Sequence, residues 1–457
     1  MLRKCKIGHM NSKSSSTTSR IAAVALAATA ISFAAAGTAA AATIPTGPSD
    51  VSFYSPASSK YASGKPGDVI WQRSATAANT LSNASKSTTI VYKSKSLANK
   101  LIPVSGTVYL PKGTAPSGGW PVVTYAHGTT GSADACAPSR LTDASSPQYI
   151  SYINPTLNTW LGKGYAVVAT DYEGLGTPGV HPWLIGPSEA RGVIDIVKAA
   201  RKLDTHVSAN VVVAGHSQGG HAALWAGSLM KSYGGSSLKL KGVVGFAPAN
   251  NMKTTVIFAA GALSAPNGIS GLGALLVRST TQADSTLKLS DLMNPAPLAM
   301  MDQLETRCVS PWTLGDGTTP NPLSLGAGNS FGQFSPQQLL KGWDATRKNW
   351  TDANVVKALN ALDGPKISNS TLTVPAPVLL LQGAVDGTVL NFTTQALQRT
   401  LGTANGDSWT KTNGTWAPTC GSSCKVQYKE FAGIDHGPIV VAGEPDATAF
   451  MRAKFGR

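Results

Sequence analysis

The chain has 457 residues, of which 42% are hydrophobic and 13% charged, and its formal net charge at neutral pH is +15. Its Lys and Arg residues are scattered and form no recognisable binding motif, which argues against a nucleic-acid partner. A chain of this length exceeds one ordinary hydrophobic core, so we expect a main domain with an insertion.

The first 42 residues are typical of a secretion signal. Five basic residues precede an uncharged apolar stretch at 21–36, and small residues at 39–42 offer cleavage sites. Removal of those five basic residues lowers the net charge from +15 to +10. No later apolar run has the length of a membrane span. We therefore expect a secreted, extracellular or periplasmic, soluble monomer without a transmembrane anchor.

Strand and helix patterns alternate beyond this leader. Residues 43–87 are rich in Ser and Ala and are interpreted as an extended N-terminal arm. Strand patterns cover 88–93, 104–110, 122–125, 166–170, 211–214, 242–246, 378–382 and 426–428, and helix patterns cover 187–203 and 219–233. The alternation predicts an α/β fold with a mainly parallel sheet and helices on both faces.

The pattern changes between residues 246 and 378. Residues 250–280 are rich in Gly and Ala with long apolar stretches, and residues 310–335 are loop-like. We expect residues 250–372 to form an inserted, mostly helical cap, and residues 88–249 and 373–457 to form the core.

The most informative motif is Gly-x-Ser-x-Gly at residues 215–219. It follows an apolar β-branched strand pattern and precedes a helix pattern, which is typical of a turn that exposes a nucleophilic serine. Ser217 is therefore the candidate nucleophile.

A serine nucleophile needs a base and an acid that orients the base. In α/β-hydrolases the chain order is Ser, acid, His. His436 is the one histidine after His221, which makes it the candidate base. Asp386 follows the strand pattern at 378–382 and is the candidate acid. Asp435 competes with it, but neighbouring loop residues usually point apart, so Asp386 is favoured.

An oxyanion hole needs two backbone N–H groups. We expect one from Gln218 and the second from Thr130 or Thr129, in the small polar turn after the strand at 122–125. Buried or flanking polar residues are expected to shape the surrounding loops: His127, His216, His221, Asp171 and Glu173. No Cys or His cluster has metal-site spacing, so neither a metal nor another cofactor is expected.

Four cysteines lie beyond the leader: Cys136, Cys308, Cys420 and Cys424. An even number in an exported chain suggests two disulfides, and three pairings are open. The short spacing favours Cys420 with Cys424, which leaves Cys136 with Cys308.

Together these motifs resemble the secretory lipase family, which includes the yeast lipase A type and bacterial relatives. The matching segments are His127-Gly-Thr-Thr-Gly131, Asp134-Ala-Cys-Ala-Pro138, Thr170-Asp-Tyr-Glu-Gly-Leu-Gly176, Gly215-His-Ser-Gln-Gly219, Asp386 and His436. The resemblance implies an α/β-hydrolase core with a helical cap and triad roles for Ser217, Asp386 and His436. It also implies a long-range bridge between Cys136 and Cys308. Yeast-type members carry an acidic side chain near the oxyanion loop, where this chain has Thr129 and Thr130.

The sequence thus predicts a secreted serine hydrolase of hydrophobic carboxylic esters, such as acylglycerols, acting through an acyl-enzyme on Ser217, with a lipid–water interface as one place of action. An esterase for polymer or aromatic esters and a peptidase or amidase on the same scaffold are the alternatives, as is a binding protein without activity.

Overall fold

A mixed nine-stranded sheet forms the centre of the protein. The computed structural model describes residues 44–141, 152–309, 324–412 and 415–457, and the leader predicted at 1–42 lies outside them. The sheet strands are β1 Val69–Ser74, β2 Ala84–Lys95, β3 Leu101–Pro111, β4 Trp120–Ala126, β5 Ala166–Thr170, β6 Val207–His216, β7 Lys239–Phe246, β10 Val378–Gly383 and β13 Val426–Phe431. Two hairpins outside the sheet contain β8 Trp343–Asp344 with β9 Asn349–Trp350, and β11 Trp409–Thr412 with β12 Thr415–Pro418.

The strand order is β1-β2-β3-β5-β4-β6-β7-β10-β13. The first three pairings in this order are antiparallel, and all pairings from β5 to β13 are parallel. The carboxyl ends of the parallel strands therefore meet at one edge, which is where ligands bind in open α/β sheets.

The sheet is buried on both faces because its central strands alternate their side chains between two cores. Val122, Val213 and Leu380 pack in one cluster, whereas their neighbours Val123 and Val212 pack in the other. This period of two is the geometry of an extended strand. Continuous apolar runs are expected for parallel strands buried on both faces.

Helices cover both faces of the sheet, and most of the elements between β7 and β10 are helices. They are α1 Asn154–Gly162, α2 Gly186–Leu203, α3 Gln218–Leu229, α4 Met252–Ala262, α5 Ser270–Ala283, α6 Leu289–Leu292, α7 Pro295–Leu298, α8 Pro336–Leu339, α9 Ala353–Ala361, α10 Asn391–Ala404, α11 Ile439–Ala442 and α12 Glu444–Phe455. Short 3₁₀ turns lie at Val51–Tyr54, Ser58–Lys60, Ala77–Asn79, Asp134–Cys136, Pro138–Arg140, Met301–Glu305, Phe331–Gln333 and Gly421–Ser423. The α/β fold predicted from the sequence is confirmed.

The segment between β7 and β10 has a hydrophobic cluster of its own. Leu275, Leu292, Phe331 and Val355 are buried in it, together with Leu184 from the core. The helices of this segment thus pack against each other and over residues that precede α2. Among the described residues, no helix is both long and apolar enough to cross a membrane.

Two segments differ locally from the sequence-based expectations. The segment expected as an extended arm contains three 3₁₀ turns and β1, which pairs with β2 at the sheet edge. The helix expected at 219–233 is α-helical to Leu229 and then widens into a π-turn at Met230–Gly234, before Gly235 ends it at a φ of +78°.

Candidate active site

Ser217 occupies the sharp turn between β6 and α3. Its φ of +59° lies in the left-handed region, which is strained for any residue with a side chain. The turn is so close to its neighbours that a Cβ on Gly215 would lie 2.0 Å from the Gly219 carbonyl oxygen. A Cβ on Gly219 would lie 1.9 Å from the carbonyl oxygen of Ala126, at the end of β4. Both glycines are therefore required by the turn that presents the serine.

His436 links Ser217 to Asp386. Its Nε2 lies 2.9 Å from Ser217 Oγ, and its Nδ1 lies 2.8 Å from Asp386 Oδ2. The parallel register pairs Gly383 with Phe431, so the loops after β10 and β13 leave the sheet side by side. The arrangement allows the Ser217 hydroxyl to donate to Nε2 while Nδ1–H donates to the carboxylate.

Three further groups hold the Asp386 carboxylate. The backbone N–H groups of Thr388 and Val389 each donate to Oδ1 at 2.8 Å. The side-chain amide of Gln382 donates to Oδ2 at 3.0 Å, beside the donation from His436. Each oxygen is thus bound from its own direction, which fixes the plane of the carboxylate.

Gln382 is a residue of the candidate site that sequence reasoning missed, because its side chain contacts Asp386. It lies fully buried at the end of β10, and its side-chain oxygen accepts a hydrogen bond of 2.8 Å from the Thr394 hydroxyl. The signal in the sequence was one amide within an otherwise apolar buried strand, since buried polar groups are normally hydrogen-bonded.

Asp435, the competitor for the acid, makes different contacts. Its Oδ1 accepts from the backbone N–H of His436 at 2.7 Å and from that of Gly387 at 3.3 Å. It is exposed, and it braces the backbone of the loop rather than the imidazole ring.

The two threonines considered for the oxyanion hole face different cavities. Thr129 lines the cavity that also contains Ser217 and Gln218, and its hydroxyl accepts a 3.0 Å hydrogen bond from the Trp183 indole. Thr130 lines a second cavity, and its carbonyl accepts from the Val309 N–H at 2.8 Å. Gln218 is the first residue of α3, where backbone N–H groups have no acceptor within the helix.

A buried polar network holds the Gln218 side chain. Its amide nitrogen lies 2.8 Å from Glu189 Oε1 and 2.9 Å from Nε2 of His181. Burial lowers the pKa of His181 to about 3, so this ring is neutral and accepts at Nε2, while Nδ1–H donates to the Glu173 carbonyl oxygen. The other oxygen of Glu189 lies 2.9 Å from Nδ1 of His221.

Asp171 and Glu173 are occupied by hydrogen bonds within the protein. Asp171 accepts from the Ser105 hydroxyl at 2.6 Å and from the backbone and hydroxyl of Ser139, and burial raises its pKa. Glu173 accepts from the Leu97 N–H at 2.8 Å and from the Ser188 hydroxyl. These contacts give both carboxyl groups a bracing role.

Two disulfides lie within the described part of the chain. Cys136 is bonded to Cys308, which ties the region after the turn at the end of β4 to the segment between β7 and β10. Cys420 is bonded to Cys424 in a short loop before β13. This second bond uses both thiols of a cluster with Asp407, whose carboxylate accepts from two backbone N–H groups.

The cavity at Ser217 encloses about 1070 Å³, including its open mouth. Its lining is mainly apolar and comes largely from α4, α5, α8 and α9, with Val256, Leu276, Leu339 and Leu359 as examples. A molecule with an extended hydrocarbon part would find few hydrogen-bonding partners there except near the serine.

The chain is similar to known lipases in sequence and in fold. Residues 148–317 match the family model described as Secretory lipase. Over this part of its length the chain is similar to the secretory lipases. It is 28% identical to lipase A of Moesziomyces aphidis over 173 residues, 36% of each chain. It is 23% identical to the secreted triacylglycerol lipase LIP7 of Malassezia globosa over 334 residues, 70% of this chain and 61% of that one.

The fold is similar to that of Candida antarctica lipase A in its closed state. The TM-score is 0.63 at 19% identity, with 89% of this chain and 86% of that chain covered. The matches to the two sequence relatives cover less than two thirds of their lengths, 36% and 61%. The resemblance to secretory lipases and the α/β-hydrolase architecture are thereby confirmed.

Proposed function

We propose that the protein is an exported serine hydrolase that cleaves carboxylic esters with apolar acyl groups. The observation that carries the proposal is the hydrogen-bond chain from Ser217 through His436 to Asp386. A serine hydroxyl becomes an effective nucleophile when a positioned base takes its proton. Similarity to lipases supports esters as the substrate class.

In the proposed reaction, His436 Nε2 takes the proton of Ser217 as Oγ bonds to the ester carbonyl carbon. The C=O electron pair moves onto the oxygen and returns when the bond to the leaving alkoxide breaks. His436 then gives its proton to that alkoxide, which departs as the alcohol. Water attacks the acyl-enzyme by the same steps and releases the carboxylic acid. Asp386 keeps the Nδ1 proton in place and stabilises the imidazolium.

The oxyanion in this scheme is held by the backbone N–H groups of Gln218 and Thr129. From the sequence, the expected second donor is Thr130 or Thr129. Thr129 is the donor proposed here, and the support for it is that Thr129 lines the cavity of Ser217 whereas Thr130 lines another one.

Residues 250–372 are proposed to form the cap that binds the acyl chain. The cavity beside Ser217 is lined by helices of this segment and is mainly apolar. Burial of hydrocarbon contributes about 25 cal/mol per Å² of apolar surface, which favours long acyl chains.

A lipid–water interface is the proposed place of action. Ile257 and Phe258 on α4 are 36% and 49% exposed, and Phe392 at the start of α10 is 43% exposed. The rings of Phe258 and Phe392 pack edge to face at 5.7 Å, so apolar surface continues from the cap to the core. Thr255 and Val256, next to these residues on α4, line the cavity. Export would follow from the signal sequence predicted at residues 1–42.

The test is hydrolysis of p-nitrophenyl esters from acetate to palmitate, with Ser217→Ala as the control. We expect activity to peak at octanoate or longer and to fall at least about a thousandfold in Ser217→Ala. A peak at acetate or butyrate would contradict the acyl-binding role of the cap. Cleavage of amino-acid anilides in place of esters would favour the peptidase alternative, and no reaction with a fluorophosphonate probe would favour a binding protein.

A further inference from the structure

We propose that His216 is a positioning residue that couples the turn of Ser217 to the loop of His436. The inference rests on the proposed function, because it assigns a role within the same site. His216 is the last residue of β6 and directly precedes the nucleophile. Its side chain is fully buried and contacts the loop after β13 that carries His436. No sequence motif predicts this contact.

The contact is a hydrogen bond to the backbone of the base itself. His216 Nε2 lies 2.9 Å from the carbonyl oxygen of His436, and a carbonyl can only accept. The Nε2 of His216 is therefore the protonated nitrogen. Its Nδ1 is bonded to the hydroxyl of Tyr152, which must then be the donor.

The surroundings keep the His216 ring in this single form. Burial, with the nearby His436 ring as a smaller contribution, holds the pKa of His216 well below its ordinary value, so the ring is neutral. A neutral imidazole has one donor and one acceptor, and here each has one partner. The two histidine rings lie 4.6 Å apart between centroids at an angle of 45°, which packs the base against the residue before the nucleophile.

The oxyanion loop meets the same side chain. A Cβ on Gly128 would lie 3.1 Å from His216 Nδ1 and 3.2 Å from the Tyr152 hydroxyl. Gly128 directly precedes Thr129, so the loop proposed to bind the oxyanion packs on the hydrogen bond between His216 and Tyr152. His216, in the segment that carries Ser217, thus packs against both the loop of His436 and the loop of Thr129.

The topology explains why such a contact is needed. In the sheet, β7 and β10 separate β6 from β13, so the His436 loop must reach across three strand spacings, or about 14 Å. A misplacement of about 1 Å in a reacting group can lower the rate roughly a hundredfold. The hydrogen bond from His216, at the end of β6, to the His436 backbone fixes the position of the His436 loop relative to Ser217.

The test compares His216→Leu with His216→Gln, because the amide nitrogen of glutamine can replace Nε2 as donor and leucine cannot. We expect His216→Leu to lower kcat on p-nitrophenyl butyrate about ten- to a hundredfold with KM changed less than about twofold. His216→Gln should recover at least about a third of the wild-type kcat. His206→Leu is the matched control, since His206 precedes the other end of β6 with an exposed side chain, and its kcat should equal that of wild type.

Active sites are titrated with a fluorophosphonate, so that kcat refers to folded enzyme. Equal kcat values for His216→Leu and His216→Gln, or a loss confined to thermal stability, would overturn the proposal. If His216→Leu does not fold, Tyr152→Phe replaces it. We expect Tyr152→Phe to lower kcat several-fold in the wild-type background. In the His216→Gln background Tyr152→Phe should have no effect on kcat, because glutamine has no tautomer for Tyr152 to fix. Additive losses of kcat in the double variant would overturn the proposal. A wild-type enzyme without Ser217-dependent activity would instead refute the proposed function.

Discussion

The substitution Asp386→Asn tests the proposed acid most directly, because the structure determines how the amide must lie. Oδ1 of Asp386 accepts two backbone N–H groups at 2.8 Å each, so the amide oxygen has to occupy this position. The amide nitrogen then takes the place of Oδ2, facing Nδ1 of His436 and the donating amide of Gln382.

In this orientation the group facing His436 Nδ1 would be a hydrogen-bond donor, the amide nitrogen, in place of the acceptor Oδ2. His436 would have to accept at Nδ1 and carry its proton on Nε2, which faces Ser217 and could no longer take the serine proton. A triad with the wrong tautomer loses about ten-thousandfold in kcat. The loss corresponds to about 5 kcal/mol of transition-state stabilisation.

The assay is the initial rate of p-nitrophenyl ester hydrolysis, normalised by circular dichroism for folded protein. Asp435→Asn is the matched control, since among the described residues its carboxylate accepts only backbone N–H groups, and we expect kcat to fall by less than about tenfold. If Asp386→Asn kept kcat within about tenfold of wild type, or Asp435→Asn lost as much as Asp386→Asn, the assignment of the acid would be refuted.

Other predictions concern the surroundings of the site. Gln382→Leu removes one donor to the carboxylate and leaves Thr394 without its acceptor, so unfolding should become easier by about 1–3 kcal/mol in urea titrations, with a lower kcat; unchanged stability would contradict this. Cys136→Ser opens a loop of 172 residues and should lower stability by about 2–5 kcal/mol, which equal melting temperatures would disprove. Burial lowers the pKa of His127 to about 4 and that of His181 to about 3. Because unfolded histidines titrate near pH 6.5, the unfolded chain binds more protons at these two residues below that pH, and they should lower the free energy of unfolding by about 2–3 kcal/mol per pH unit near pH 5. The raised pKa of the buried Asp171 and Asp195 carboxyl groups acts in the opposite direction and offsets part of this loss. A protein as stable at pH 5 as at pH 7 would refute this assignment of charge.

The sequence predicted those features that depend on local pattern. Parallel strands buried on both faces read as apolar runs, which is why the cores of β4, β6 and β10 were placed within a few residues. The turn of Ser217 was predictable because only glycines fit beside it.

Other features depend on three-dimensional neighbours and left no local signal. Edge strand β1 has a mixed sequence, and its pairing with β2 decides its conformation. The choice between Thr129 and Thr130 depends on the direction in which the turn leaves β4. The contact of Gln382 with Asp386 requires the chain to turn back after β10, which alternation of residue types does not encode.

The C-terminal end of the proposed cap is hydrogen-bonded to the same network that holds the Gln218 side chain. Nε2 of His221 lies 2.7 Å from the carbonyl oxygen of Ile367, and its other nitrogen faces the carboxylate of Glu189, which also binds the Gln218 side chain. The two ends of this segment are also joined to each other, because the side-chain amide of Asn369 donates to the Ala249 carbonyl at 2.9 Å.

A displacement of this C-terminal end of the segment would therefore be transmitted to Gln218 through three buried hydrogen bonds. Packed interiors transmit such displacements because they contain few voids. An apolar chain that settles between the cap helices and an oxyanion at Ser217 would thus act on one connected set of side chains. This connection gives the buried Glu189 and His221 a physical reason to stand in the core rather than apolar residues of similar volume.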